Sequence, residues 1–387
     1  MNLYAIIPKN NERKGIMTKN NALSFFDKTS LNLMALFESY GYKKYKMSKF
    51  EEYDLYLQNK SFLKSENVIA FNDPTGKLLA LKPDVTLSIA KNTAENETEP
   101  RKLFYSENVY RVSGNMNEFK EMSQIGLEFI GELDLYSLCE VLVIAKKSLA
   151  AINDSFVLDI SHMGLLIGLL EETDLSFEIR EDITEAIGTK NSHETAKICA
   201  KYGVADDLTE KLTTLATLYG SIDKILPATE KLVINDTTSA AVEELKAVCQ
   251  ILKTSGQAEN INVDLSVVSD LSYYNGITFR GFIENVPGSI LSGGRYDNLL
   301  IKLGKKASAV GFAVYMDLLS YLDKDSDRFD ADVMLVYEEG TPAEKIFSVA
   351  SGLRAEGLRV NVAASPCNNI KFKKLMRLNS EGVLTDE

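Results

Sequence analysis

The chain of 387 residues has no tryptophan, only two histidines and only four cysteines. Cys139, Cys199, Cys249 and Cys367 stand far apart and form no CxxC pair. That spacing argues against a zinc site and fits a reducing cytosol. His162 and His193 are too few and too isolated for a metal centre or a histidine-based triad. No apolar run approaches the roughly 20 residues that span a bilayer. The opening MNLYAIIPKNNERKG lacks the basic stretch and apolar core of a secretory signal. A basic excess is missing as well: 43 Lys and Arg stand against 55 Asp and Glu, a net charge of −12. Such a balance is a poor starting point for holding a phosphate backbone, although a local patch can suffice. The lysines around 43–49 and 371–374 read as solvated faces. No P-loop, dinucleotide fingerprint, HExxH or GxSxG is present.

What remains is ordinary globular composition, 45% hydrophobic and 25% charged, long enough for two or three domains. Residues 22–40 have helical periodicity and stop at Gly41. Short strands near 68–72 and 78–81 flank the turn Asp73-Pro74-Thr75-Gly76. From about 164 to 253 acidic, Leu- and Ala-rich helical patterns dominate, with no clear strand. Strand character returns at 262–268, 272–282 and 289–291, and Gly293-Gly294 reads as opening a helix. A charged linker at 324–328 precedes a small βαβ-like tail with strands at 331–337 and 359–364. Strands interleaved with segregated helices argue for an α+β fold. The expected division is 1–163 and 259–328 as one core, 164–258 as a helical insertion, and 329–387 as the tail.

The residues with the clearest chemistry lie between Leu103 and Gly131, which reads as two strands around a polar connection. On the second strand Ile125, Leu127 and Phe129 point one way, and Gln124, Gly126 and Glu128 the other. A carboxylate and an amide flanking a glycine look like one wall of a polar pocket. A buried Glu128 costs free energy unless it meets a cation or donors, which an amine ligand would supply. Gln124 can donate and accept, and Arg111 can hold a carboxylate or phosphate in a two-pronged contact. Equally, Arg111 and Glu128 can pair with each other or with Glu107. In LKPDVT, Asp84 fits a helix cap as well as a ligand contact. Tyr273 and Tyr274, as neighbours on a strand, would face opposite sides, so at most one would line a given pocket. The glycine pair in SGGRYD permits close backbone approach but also suits a plain turn.

The order of these segments is more specific than any one of them. Together they resemble class II aminoacyl-tRNA synthetases, most closely the histidyl branch, over about residues 10–322. YRVSGNMNEFKEMSQIGLEFIG resembles motif 2 and AVGFAVYMDLL motif 3. LKPDVT, SYYNGITF and SGGRYDNLL resemble the histidine-recognition segments of that branch. The resemblance implies a synthetase-like antiparallel sheet flanked by helices. It places Asp84 where an acid grips the ligand's α-amino group, with Thr86 following in the same pocket. Arg111 matches the motif 2 arginine, Gln124 and Glu128 the residues that hold histidine, and Tyr273 and Tyr274 the tyrosines lining the imidazole site.

Departures from the pattern carry as much information. An arginine of the synthetases aligns with Ser269, and an acid with Ser272. The motif 3 arginine, which clamps ATP phosphates, aligns with Leu318, and a glycine three residues earlier becomes Tyr315, whose ring can fill space left for adenine. An acid of the motif 2 loop becomes Ser113, and the proline of motif 1 aligns with Ser48. Activating a carboxylate with ATP needs fixed cations opposite the phosphoryl charge, and apolar Leu318 supplies none. The 59 residues after Arg328 are too few for the anticodon-binding domain of the synthetases. This pattern of kept pocket and lost clamps resembles the regulatory subunits of ATP phosphoribosyltransferase, a paralogous family. It implies a non-catalytic chain without metal or cofactor. Its expected partners are a short catalytic subunit, a second copy as a dimer, and L-histidine as feedback ligand. Neither a membrane nor tRNA is expected as a partner. A divergent histidyl-tRNA synthetase, or a synthetase-like module sensing another amino acid, are the alternatives.

Overall fold

The computed structural model describes residues 23–387 except 60–62, 64–67, 94–98, 113–117, 269–270, 272, 323–328, 368 and 387. Ser113, Ser269 and Ser272 lie outside the described residues, as does the charged linker. The chain divides into a large unit, Phe26–Leu322, and a small one that holds Asp323–Glu387.

The large unit opens with α1 (Phe25–Ser39), β1 (Lys43–Lys44), β2 (Phe50–Glu52) and α2 (Tyr53–Gln58). Next come β3 (Ala70–Asn72), β4 (Leu78–Leu81) and α3 (Thr86–Lys91). The long hairpin is β5 (Arg101–Val112) and β6 (Phe119–Gly131), followed by α4 (Leu135–Ile152) and β7 (Phe156–His162). A mainly helical stretch holds α5 (Met163–Glu171), α6 (Phe177–Gly188), α7 (Ser192–Lys201) and α8 (Asp206–Thr217). It continues through β8 (Tyr219–Ser221), α9 (Ile222–Thr229) and α10 (Asp236–Thr254). The unit closes with β9 (Ile261–Asp264), β10 (Ile277–Ile283), β11 (Leu291–Arg295), α11 (Asp297–Lys302) and β12 (Ser308–Tyr315). Nine strands form one sheet in the order β1-β5-β6-β12-β11-β10-β7-β9-β8. Only the β1–β5 and β7–β9 pairs are parallel. A separate antiparallel sheet has the order β2-β4-β3. This is the expected α+β architecture.

The period-2 pattern of β6 decides how the large sheet is used. Ile125, Leu127 and Phe129 are buried together with Phe104, Phe279 and Phe312. Phe312 meets Phe37 of α1 and Phe279 edge-on, at centroid distances of 5.8 and 6.2 Å. Each such side chain contributes roughly 1.5–3 kcal/mol by leaving water. Asp134 fixes the start of α4 by accepting from the Ser137 N–H at 2.8 Å. At Gly281 a Cβ would come within 2.7 Å of Leu149, so glycine lets α4 lie close on β10. The opposite face meets a second core, where Val85, Leu87 and Ile89 pack with Leu299 and Leu300. The polar side of the hairpin opens onto that second layer.

Three local readings are corrected. The stretch 164–253 contains the strand β8, antiparallel to β9 and too short at Tyr219–Ser221 to display alternation. Gly293 and Gly294 lie inside β11, and α11 starts only at Asp297. A Cβ on Gly293 would sit 2.3 Å from the Gly311 carbonyl, so the glycines serve close packing. The small unit holds β13 (Ala331–Tyr337), α12 (Ala343–Ala355) and β14 (Val360–Ala363), and then two further strands, β15 (Phe372–Leu378) and β16 (Leu384–Asp386). β15 pairs parallel to β13 and buries Leu378, while exposed Lys373 and Lys374 hide its pattern in the sequence.

Tyr56 of α2 is fully buried in the second core, and its hydroxyl has no hydrogen-bond partner among the described residues. Tyr56→Phe removes a desolvated, unpaired group and is expected to raise the unfolding free energy by about 1 kcal/mol. Urea unfolding checks this; a loss of stability would mean that the hydroxyl has a partner.

Candidate ligand-binding site

β5 and β6 pair so that Tyr105 lies opposite Gly126 and Glu107 opposite Gln124. β12 continues the sheet, with Gly311 opposite Glu128 and Tyr315 opposite Gln124. Ser292 and Gly294 of β11 extend the same face. A small cavity of about 30 Å³ stands on it. Asp84, Thr86, Arg111, Gln124, Glu128, Tyr273 and Tyr274, separated by up to 190 positions in the chain, all line it. Glycines create the room. A Cβ on Gly126 would lie 2.3 Å from the Tyr105 ring, and one on Gly311 would lie 1.8 Å from Glu128 Oε2.

Glu128 is the electrostatic centre of the site. It is 2% exposed and accepts from Thr86 Oγ1 at 2.8 Å and from Tyr296 Oη at 2.6 Å. No cation is within ion-pair distance of it among the described residues. Loss of hydration pushes its carboxyl up to about 8, the two hydroxyl donors pull it down, and the Asp84 charge adds to the rise.

The other charges are disposed otherwise than any pairing read from the sequence. Arg111 donates Nε–H to the Pro83 carbonyl at 2.7 Å and points Nη2 at Asp84 Oδ2, 3.5 Å away. Asp84 Oδ1 accepts from the Leu87 N–H at 2.9 Å, so this acid caps the first turn of α3 and lines the cavity at once. Glu107 turns to Lys82, which is fully buried and pairs with it at 2.5 Å, leaving Glu107 outside the cavity. The pairing of Arg111 or Glu107 with Glu128 is therefore not adopted.

Both tyrosines face the cavity, contrary to the strand argument, because β10 begins only at Ile277. Off the strand their rings stack edge to face with centroids 4.6 Å apart. Tyr274 rests on Gly294, where a Cβ would meet its ring at 2.7 Å. A second layer ties this segment down. Asn275 and Asp297 exchange hydrogen bonds, and Arg295 binds Asp297 at 2.8 Å and Glu244 of α10 at 3.3 Å. Glu244 also holds His162 at 2.6 Å, a contact that lowers its carboxyl. Tyr296 is thus flanked by an anchored Arg295 and Asp297.

Sequence reasoning missed Tyr105, Tyr296 and Ser292 as wall residues. Tyr296 and Ser292 lie in the SGGRYD segment, where the glycines masked them. For Tyr105 the signal was Gly126, a missing side chain on the pocket face directly across the pair.

The histidyl-tRNA synthetase family description matches residues 24–319. The chain is 31% identical over 336 residues to the ATP phosphoribosyltransferase regulatory subunit of Ruminiclostridium cellulolyticum, covering 84% of this chain and 79% of that one. Its fold is similar to an ATP phosphoribosyltransferase regulatory subunit/histidyl-tRNA synthetase from Bacillus halodurans, with a TM-score of 0.76 and 22% identity. That match covers 92% of this chain and 94% of the other. A chain of the ATP phosphoribosyl transferase (HisG:HisZ) complex from Thermotoga maritima is similar at a TM-score of 0.58 and 18% identity, over 74% and 96% of the two chains. The chain belongs to the ATP phosphoribosyltransferase regulatory subunits, a family built on the histidyl-tRNA synthetase fold.

Proposed function

We propose that this chain is a non-catalytic, histidine-sensing subunit that assembles in the cytoplasm with a short catalytic ATP phosphoribosyltransferase, as a hetero-oligomer built on its own dimers. The catalytic partner needs it for activity, and histidine bound here takes part in feedback. The observation that carries this reading is Glu128: a buried carboxylate with hydroxyl donors alone, in a cavity shared with Asp84. Asp84 would take the ligand's ammonium, Gln124 and Arg111 its polar groups, and the paired tyrosines its imidazole, with a ring N–H directed at Glu128. Leu318, half-buried and apolar, supplies no charge to a phosphoryl group. A pocket that recognises an amino acid without clamping ATP can bind and report but has no reaction to drive.

Calorimetric titration with L-histidine, alone and with a short phosphoribosyltransferase, tests the sensor role. Saturable one-site binding is expected. Absence of binding in both states would sink the sensor role. The subunit role fails if the purified chain neither captures nor activates the phosphoribosyltransferase. Histidine-dependent ATP–pyrophosphate exchange would instead establish a synthetase.

A further inference from the structure

A second cavity of about 430 Å³ adjoins the one already described. Asp84, Tyr273, Tyr274, Ser292 and Tyr315 line both, whereas Gln124 and Glu128 line only the smaller. The shared residues are therefore a partition. Asp84 is tied to the α3 turn and Arg111, and Tyr274 is seated on Gly294. Tyr315 is held differently. Its backbone is fixed at the end of β12, where its N–H reaches the Ile290 carbonyl at 2.8 Å. Its half-buried ring crosses to β11, and its hydroxyl meets Ser292 Oγ at 2.5 Å.

The two volumes give this ring a consequence. About 30 Å³ is room for a water or two, less than an amino acid needs. Turning the Tyr315 ring toward the larger cavity enlarges the smaller one. The same motion occupies space next to the site. Asp84, which takes the ligand's ammonium in the reading above, borders both cavities; Glu128, facing the imidazole, borders only the small one. A ligand spanning the two acids has its α-carbon at the partition and its carboxyl group within reach of Arg111, which lines only the small cavity; anything added beyond that carboxyl has to pass the partition, where Tyr315 stands.

We infer that Tyr315 sets the length limit of the ligand, admitting a free amino acid and rejecting one extended at its carboxyl group. The inference rests on the histidine reading of the site. Specificity here comes from a steric obstacle more than from an added attraction.

Calorimetry on the full chain with L-histidine and with the dipeptide L-histidyl-L-alanine tests it. The wild-type chain should bind the dipeptide at least about a hundredfold more weakly than L-histidine. Tyr315→Ala should bring the two within about tenfold, and Tyr315→Phe, which keeps the ring, should retain the wild-type preference. Ser292→Ala removes the contact to Ser292 Oγ but keeps the ring, so like Tyr315→Phe it should retain the preference. Tyr315→Leu, smaller than the ring, should relax it in part and serves if Tyr315→Ala does not fold. Equal binding of both ligands by the wild-type chain, or an unchanged preference in Tyr315→Ala, would overturn the gate while leaving histidine recognition intact. Failure of the wild-type chain to bind L-histidine removes both readings.

Discussion

Glu128→Gln is expected to weaken L-histidine binding by roughly one to two orders of magnitude, the weight of a charge-assisted hydrogen bond of about 1.5–3 kcal/mol. Glutamine preserves the shape of the side chain: its oxygen can accept from one of the two hydroxyls, Thr86 or Tyr296, and its NH2 can donate to the oxygen of the other, so the cavity should keep its walls. What disappears is the negative charge that a ligand N–H would face in a site of low dielectric. Calorimetric titration checks this, and alkaline pH favours the comparison, because burial raises the wild-type carboxyl to about 8 and the charged form gains as pH rises. An unchanged affinity would remove Glu128 from the binding site and with it the orientation proposed for the imidazole.

The same substitution should make the ligand-free chain more stable in alkaline solution. Glu128 has its carboxyl raised from 4.5 to about 8 in the folded chain, chiefly by burial. A folded-state pKa above the unfolded one means that the native state binds the proton more tightly. The stability linked to that proton is fully present below about pH 4.5 and falls as pH rises. It is lost once pH passes about 8. The slope from this one group approaches about 1.4 kcal/mol per pH unit within the window. Glutamine does not titrate, so the difference in unfolding free energy between Glu128→Gln and wild type should grow with pH and level off above about 8. Denaturant unfolding of both proteins from pH 5 to 9 measures it. A pH-independent difference would mean that Glu128 is ionised in the fold, with a cation near it. Together the two results would describe a site that gives up stability for recognition, since the group that weakens the empty fold is the one the ligand satisfies.

How much of this was legible beforehand differs from residue to residue. The wall formed by Gln124, Gly126 and Glu128 was readable because strand periodicity alone sends them to one face. The alternation also placed Ile125, Leu127 and Phe129 in the core. By contrast, Tyr273 and Tyr274 were assigned to a strand that starts four residues after Tyr273, and the two-sided geometry inferred for them does not hold. Gly293 and Gly294 looked like a turn because two glycines signal conformational freedom. Their actual use is the absence of a Cβ against the Gly311 carbonyl and the Tyr274 ring, and no local pattern contains those neighbours.

The sequence by itself determined the α+β class, the family and seven of the polar residues that meet in the pocket, though not Tyr105, Ser292 or Tyr296. These follow from period-2 alternation and from the order of motifs, which are properties of neighbouring positions. Only the tertiary structure decided which charge meets which. Lys82 takes Glu107, Arg111 takes Pro83 and Asp84, and Glu128 is left to two hydroxyls. Ion pairing depends on distances of a few ångströms between groups on different elements, and chain separation says nothing about those. The buried carboxyl of Glu128, held by hydroxyls alone and central to the proposed function, is a product of that packing.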